Sequence, residues 1–183
     1  MACDLTLVRG IKCKDSVGGI DRVYFINNGD LGVISYTADA IATIAGSQHA
    51  YEYVVKNDAC TLTSAGTSDI NTGVSMFETT LELTLPNLTV ADHKELKLLL
   101  WGQPHVIVKD KNGNFFMVGT EFGADVMAMN VSTGGAMADM SGYTLTLVAK
   151  EKRPFDYFVS TTEATLATAC NLVILKADAT FVS

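Results

Sequence analysis

Histidine is the first side chain to consider for catalysis or metal binding in this 183-residue chain. Its three histidines, His49, His93 and His105, are far apart, and the sequence contains no HExxH pattern. No cysteine lies within three residues of any of them. Metal ligands in proteins recur at short, characteristic spacings, which are missing here. The histidines therefore indicate ordinary surface or core positions, and we expect neither a metal nor a cofactor.

Nucleophiles and phosphate-binding loops are equally hard to find in the sequence. The four cysteines form no CxxC pair and are widely spaced, at Cys3, Cys13, Cys60 and Cys170. In a reducing cytoplasm such thiols are buried or incidental. The glycine pairs at residues 18–19 and 134–135 lack the Lys-Ser/Thr of a phosphate-binding loop, and no Gly-x-Ser-x-Gly elbow occurs.

One carboxylate pair, Glu78 and Glu82, has a spacing that places both side chains on one face of a strand. Acid–base catalysis by two carboxylates needs environments that separate their pKa values. The surrounding sequence offers no basic or strongly apolar neighbour for that purpose. We therefore expect a protein that is not an enzyme, while an enzyme without a sequence signature stays the less favoured alternative.

Composition indicates one ordered β domain. Hydrophobic residues make up 48% of the chain and charged residues only 18%. A chain of this length can bury a sizeable core. So little surface charge fits either a protein that faces its own copies and partners or an ordinary β domain.

The net charge of −7 argues against a protein that wraps a nucleic acid backbone, which needs a Lys/Arg stripe. It fits a protein indifferent to DNA, or one that lets DNA pass. No apolar run approaches the roughly 20 residues that span a bilayer, so we expect no membrane contact. The N-terminus has no signal-peptide pattern, which predicts synthesis in a cytoplasm.

The clearest element is a long strand at residues 74–85. Its side chains alternate between an apolar face and a polar, acidic face over the whole run. Its length is about twice that of a typical strand. We hypothesise that Glu78, Thr80 and Glu82 on the polar face are exposed to water.

One helix is predicted at residues 89–101. Thr89 followed by Asp92 resembles a capping box, and Gly102 is a typical helix end. Leu96, Leu99 and Leu100 would form its apolar stripe. An Asn-Gly turn within residues 109–114 predicts a hairpin downstream.

The remaining segments are predicted less regular. Residues 31–36 could pair with the strand at residues 23–26, and residues 37–46 favour a loop insert over a helical turn. Residues 64–73 and 121–141 are rich in loop-forming residues. We expect three parts: an N-terminal arm (residues 1–20), a β domain (21–159), and a C-terminal arm or added strand (160–183).

Several of these features in succession resemble the tail tube proteins of double-stranded DNA phages and, more loosely, tube subunits of contractile injection systems. The helix at 89–101 lies between long strands. In residues 112–119 a hairpin turn leads into a short apolar run that ends in a glycine. Residues 134–139 and then 142–147, Glu151 and Pro154 are similar to the family's closing loop, strand and turn. The likeness covers about 60 residues well and the first half only by the order of elements.

This resemblance implies an antiparallel β-sandwich or half-barrel with one flanking helix, whose copies form hexameric rings that stack into a tube. DNA would pass through the tube without specific binding, and the protein would belong to a virion tail assembled in the host cytoplasm. Glu78, Thr80 and Glu82 would line the lumen. Polar loops and the arms would contact other subunits or tail proteins, through residues that include Asp30, Tyr36, Ser68, Asp69, Met137 and Asp139.

Two other classes stay open. Another tail component of the same fold, such as a tail-completion or baseplate-hub subunit, would share these patterns. A ligand-binding β-sandwich of the lectin kind is a weaker alternative, because such modules usually expose Trp and Tyr. The only tryptophan, Trp101, closes the predicted helix instead.

Overall fold

Strands dominate the computed structural model, which describes residue 9 and residues 16–55, 59–71 and 73–176. The first half contains β1 (Ile20–Ile26), β2 (Ile34–Thr37), β3 (Ala40–Ile44), β4 (Gln48–Val54), β5 (Thr61–Asp69) and β6 (Val74–Pro86). The second half contains α1 (Val90–Trp101), β7 (His105–Asp110), β8 (Phe115–Val118), β9 (Asp125–Ser132), β10 (Gly142–Glu151), β11 (Asp156–Phe158), α2 (Glu163–Ala169) and β12 (Leu172–Leu175). Most of the expected N-terminal arm and the end of the C-terminal arm lie outside the described residues.

The strands form two sheets, and the predicted mainly-β sandwich is confirmed. One sheet is antiparallel throughout, with the order β5-β6-β10-β9. The other has eight strands in the order β12-β4-β1-β7-β8-β11-β3-β2. Its pairs are antiparallel except β12 with β4 and β11 with β3.

Two apolar clusters lie on opposite faces of the eight-stranded sheet. Alternate side chains of β1 supply both: Val23 and Phe25 enter the cluster between the two sheets, and Tyr24 and Ile26 enter the other. The second cluster joins residues of β3, near one sheet edge, to residues of β4, near the opposite edge. The large sheet therefore curves around this cluster, as a half-barrel does.

The long strand β6 confirms the predicted two-faced pattern. Leu81 and Leu83 are fully buried, and they pair across the sheet with Leu147 and Leu145 of β10. Each such side chain stabilises the fold by about 1.5–3 kcal/mol relative to an exposed one. The residues between them point away from the core. One face of the four-stranded sheet therefore packs against the core of the sandwich, and the other faces away from it.

Helix α1 begins and ends where the sequence predicts. The Thr89 side chain accepts a hydrogen bond from the Asp92 N–H, and the Gly102 N–H reaches the carbonyls of Leu98 and Leu99. Of the expected apolar stripe, Leu96 is buried, whereas Leu99 is half-buried and Leu100 exposed. The helix therefore rests on the sandwich through a narrow contact.

The chain from residue 160 onward is partly described and packs into the fold. Helix α2, which was not predicted, is capped by Thr162, whose side chain accepts a hydrogen bond from the Thr165 N–H. Leu166 and Cys170 are buried in the second cluster. Strand β12 lies within the expected C-terminal arm or added strand and covers part of the outer edge of β4.

The pairing predicted for residues 31–36 is wrong, and so is the loop predicted at residues 37–46. Strand β1 pairs with β4 and β7, and β2 instead forms a hairpin with β3. Ala38 and Asp39 turn this hairpin with φ of 51° and 61°. Two positive φ angles match a type I′ turn, which usually shows itself through Asn or Gly. With Ala in that position, the turn has no sequence signal.

Two further loop predictions are wrong over part of their length. Strand β5 occupies much of residues 64–73, and it pairs with β6 continuously from Thr61 to Asp69. Strand β9 lies inside residues 121–141 and pairs with β10. Backbone pairing holds β5, because its own side chains supply little apolar alternation.

Candidate assembly surface

The free face of the four-stranded sheet is polar and rich in threonine. Alternation places these side chains opposite the buried leucines, and the cross-strand register aligns them in rows. The face includes Thr61, Thr63, Glu78, Thr80, Glu82, Thr84, Thr144, Thr146 and Lys150, together with the apolar residues Ala65 and Val148. We call this surface the threonine face.

All three residues expected in the lumen lie on the threonine face. The Glu78 carboxylate is 3.3 Å from Lys150 Nζ, and Glu82 accepts a hydrogen bond of 3.2 Å from the Thr61 hydroxyl. Thr80 pairs with Val148 of β10. Because the Glu78–Lys150 pair is exposed, it contributes little to stability, but it neutralises one of the two acids. The face is therefore less acidic than the sequence suggests.

The two outer strands of this sheet have free edges within the described part of the chain. Strand β5 has nine residues and β9 has eight, so their edges match in length. An antiparallel sheet with an even number of strands has outer strands that run in opposite directions. The β5 edge of one copy can therefore continue the sheet at the β9 edge of another, again as an antiparallel pair.

The β9 edge was not predicted, because a bulge hides its pattern. Ala128 pairs with Thr146 and Val126 with Leu147, so Met127 is the extra residue between two regular pairs. The bulge shifts the alternation of apolar residues by one position. The sequence did contain a strand signal, because the apolar residues of β9 alternate regularly once Met127 is left out.

An exposed apolar patch lies beside the β9 edge. The Gln103 amide donates a 2.8 Å hydrogen bond to Asp125, which joins the end of α1 to the start of β9. Trp101 is 71% exposed, and Phe122 and Met127 are also exposed. Exposed large apolar side chains on α1, on β9 and on the segment just before β9 are typical of a contact surface.

Tyr36 and Asp30, two of the residues expected between subunits, belong to the eight-stranded sheet and its first turn. The Tyr36 hydroxyl donates a 3.0 Å hydrogen bond to Asp156, and the Arg153 guanidinium lies 4.3 Å from its ring centre. Burial, then the hydrogen bond to Asp156, raises the pKa of Tyr36 to about 12. Tyr36 is thus already engaged within its own subunit, whereas Asp30 is exposed in the turn.

The other four predicted contact residues lie at opposite ends of the four-stranded sheet. Ser68 and Asp69 end β5, where Ser68 contacts the Ser75 hydroxyl at 3.1 Å. Met137 and Asp139 lie in the loop between β9 and β10, and the Met137 side chain is fully exposed. Backbone hydrogen bonds from Ala136 and Gly135 lower the pKa of Asp139. The six residues therefore do not converge on one surface.

A groove that sequence analysis missed lies beside α1. Its volume is about 1210 Å³, and it separates the helix from the end of β4 and from the Pro86 end of β6. Its walls include Tyr51, Tyr53, Leu98, Leu99, Tyr143 and Leu175. Burial raises the pKa of Tyr53, and the Glu95 and Asp92 carboxylates at the rim add to that shift. The lining comes from separate stretches of chain, so no local pattern could indicate it.

The buried polar residues have structural roles. His105 bonds to the Gly119 carbonyl. Glu151 accepts hydrogen bonds from the Glu121 N–H at 2.7 Å and from the Thr120 hydroxyl at 3.3 Å. Burial raises the pKa of this carboxyl group. Among the residues that the structure describes, no three His, Cys, Asp or Glu side chains are grouped as metal ligands would be.

No protein-family model matches the chain, and no curated protein matches it either. Neither α1 nor α2, the two helices of the described residues, has the length and apolar character needed to cross a bilayer. We therefore base the function on the threonine face, the two free edges and the groove.

Proposed function

We propose that this protein is the tail tube subunit of a double-stranded DNA phage. Copies join through the edges of their four-stranded sheets into rings, and the rings stack into a tube around the DNA. The observation that carries the proposal is the four-stranded sheet itself, which combines one buried face, one threonine face and two free edges of matched length.

Edge-to-edge joining suits this sheet. A contact between β5 of one copy and β9 of the next uses two different surfaces, and repeated rotation through such a contact closes a ring. Closure leaves no unpaired edge in the four-stranded sheets and so removes the aggregation hazard that those edges carry. The exposed residues Trp101 and Met127 beside β9 would be covered in the same step. Six copies per ring is the number that the family resemblance implies.

The threonine face suits a wall along which DNA slides. In the described chain its only cation is Lys150, which Glu78 neutralises. Fixed cations would hold phosphates and release counterions, which makes binding tight. Hydroxyl groups with one unpaired carboxylate, Glu82, would instead leave the DNA free to move.

Two alternatives predict different assemblies. A tail-completion or baseplate-hub subunit of the same fold would form rings that do not stack. A ligand-binding module would be monomeric and would use the groove beside α1, whose aromatic wall includes Tyr51 and Tyr53. We favour the tube because the groove alone does not account for two free, matched sheet edges.

Electron microscopy of the purified protein, together with light scattering, tests the proposal. We expect rings or tubes with a central pore. Met127→Asp should prevent ring formation by placing a charge at the β9 edge, whereas Thr168→Asp on the exposed side of α2 should not. A strict monomer across concentrations would overturn the proposal.

A further inference from the structure

A hairpin extends past one end of the four-stranded sheet. The last residue of β10, Glu151, pairs with Phe77 of β6. Beyond that point β5 and β6 continue alone through Met76–Thr67, Ser75–Ser68 and Val74–Asp69. Ile70, at the tip, is 95% exposed. An apolar side chain presented at the end of a two-stranded projection has no partner among the described residues of its own copy.

The groove lies at the opposite end of the same sheet. Leu85 and Pro86 at the end of β6, and Tyr143 at the start of β10, belong to its lining. Strands β6 and β10 span the distance between the two features, since β6 begins in the hairpin at Val74 and ends in the groove. One copy thus carries an apolar projection and an apolar recess at its two ends.

We infer that the tip of the β5–β6 hairpin of one copy occupies the groove of the next copy along the tube. This inference rests on the proposed function, because rings stacked along the strand direction bring the two ends together. Ile70 enters between α1 and β4, against Leu98, Leu99 and Tyr53.

The acidic groove is complementary in charge to the base of the hairpin, where Lys152 lies, and not to its tip, which carries Asp69. Asp92 and Glu95 lie at the groove rim, and the groove's one cation among the described residues, Lys176, is 2.6 Å from its partner Glu163. At the other end Lys152 is exposed and directly follows Glu151, where the hairpin leaves the sheet. The hairpin's own acid, Asp69, accepts a 2.8 Å hydrogen bond from the Asn71 N–H, so one of its carboxylate oxygens is directed toward the hairpin's own backbone.

The groove also has the size of a polypeptide site. Pockets for small ligands measure about 300–1,000 Å³. At about 1210 Å³ the groove exceeds that range, so it has room for more than a small ligand.

Cysteine crosslinking between copies tests the contact. Ile70→Cys combined with Leu98→Cys should give a ladder of disulfide-linked copies when tubes are oxidised. Each single variant should give none, and neither should Ile70→Cys with Val159→Cys, an exposed site away from the groove. Cys60 and Cys170 are buried, and the unchanged protein controls for all native cysteines.

A second variant separates this inference from the proposed function. Ile70→Asp should leave rings intact while raising the protein concentration needed for tubes by about ten- to a hundredfold. Val159→Asp is the matched control and should change neither. Tubes that form without crosslinks, or that tolerate Ile70→Asp, would overturn the hairpin–groove contact and leave the tube proposal standing. Loss of rings in the unchanged protein would overturn both.

Discussion

Gly66 of β5 lies directly against the aromatic ring of Phe77 on β6. A Cβ atom at position 66 would be 2.8 Å from a ring carbon of Phe77, closer than real Cβ atoms approach. The ring therefore lies over the backbone of the neighbouring strand at the point where the hairpin leaves the sheet. Glycine is needed here for space and not for an unusual backbone angle.

Gly66→Val should destabilise the fold by about 1–3 kcal/mol, because the ring must move. Ala65→Val is a matched control, since Ala65 is the neighbouring residue on the opposite face. Chemical denaturation of both variants measures the difference. Equal stabilities would show that the ring moves aside at no cost.

Leu96→Ala should cost about 2–5 kcal/mol of unfolding free energy, because Leu96 is the one fully buried side chain that α1 presents. Leu100→Ala on the same helix should cost much less, since Leu100 is exposed. Thermal unfolding followed by circular dichroism compares the two. A similar loss for both would mean that the helix is held by a wider contact.

Asn112, in the turn between β7 and β8, forms two hydrogen bonds to the backbone of Val17. Its side chain accepts a 2.9 Å hydrogen bond from the Val17 N–H and donates one of 2.7 Å to the Val17 carbonyl. Asn112→Ala should speed hydrogen exchange at the Val17 amide by about ten-fold, given roughly 1 kcal/mol per bond. Asn114→Ala, which removes a bond to Asp110 only, should leave that amide protected.

Glu151 should make stability depend on pH. Burial raises the pKa of its carboxyl group above the usual 4.5, so the charged form is disfavoured in the folded state. The folded protein then binds the proton more tightly than the unfolded chain, and stability falls as pH rises through 4.5 and above. Glu151→Gln should lose this dependence. Denaturation of both proteins at pH 4 and pH 7 measures it, and parallel changes would exclude Glu151 as the cause.

Glu82→Lys should make purified rings retain DNA, with an affinity that falls steeply as salt rises. The variant places a cation on the threonine face without disturbing the Glu78–Lys150 pair. Gel-shift assays at two salt concentrations measure the effect, and Glu121→Lys, at an exposed position off the threonine face and outside the groove, controls for net charge. If ring assembly itself collapses, Glu82 is structural and the lumen assignment is wrong.

Sequence patterns predicted those elements whose two faces differ in environment. Strand β6 was predictable because leucines and polar residues alternate between core and solvent along it. Helix α1 was predictable from Thr89 and Gly102: the Thr89 side chain caps its start, and the Gly102 backbone N–H bonds to carbonyls of its last turn. In both cases the local signal and the tertiary environment agree.

In the elements that were not predicted, the local sequence signal does not match the structure that forms. The bulge at Met127 breaks the alternation of β9, and the Ala38–Asp39 turn begins with an alanine, which rarely takes positive φ. The groove draws its walls from residues as distant as Tyr51 and Leu175, so only the tertiary fold assembles it. Sequence analysis therefore located the threonine face but not the surfaces at its two ends.

The hairpin and the groove at opposite ends of one sheet make the subunit directional. Any head-to-tail polymer of this chain has unlike termini, with bare hairpins on one and empty grooves on the other. A protein that starts the polymer needs only one of the two shapes, and a protein that stops it needs only the other. Initiation and termination can thus be assigned to different partners by geometry alone.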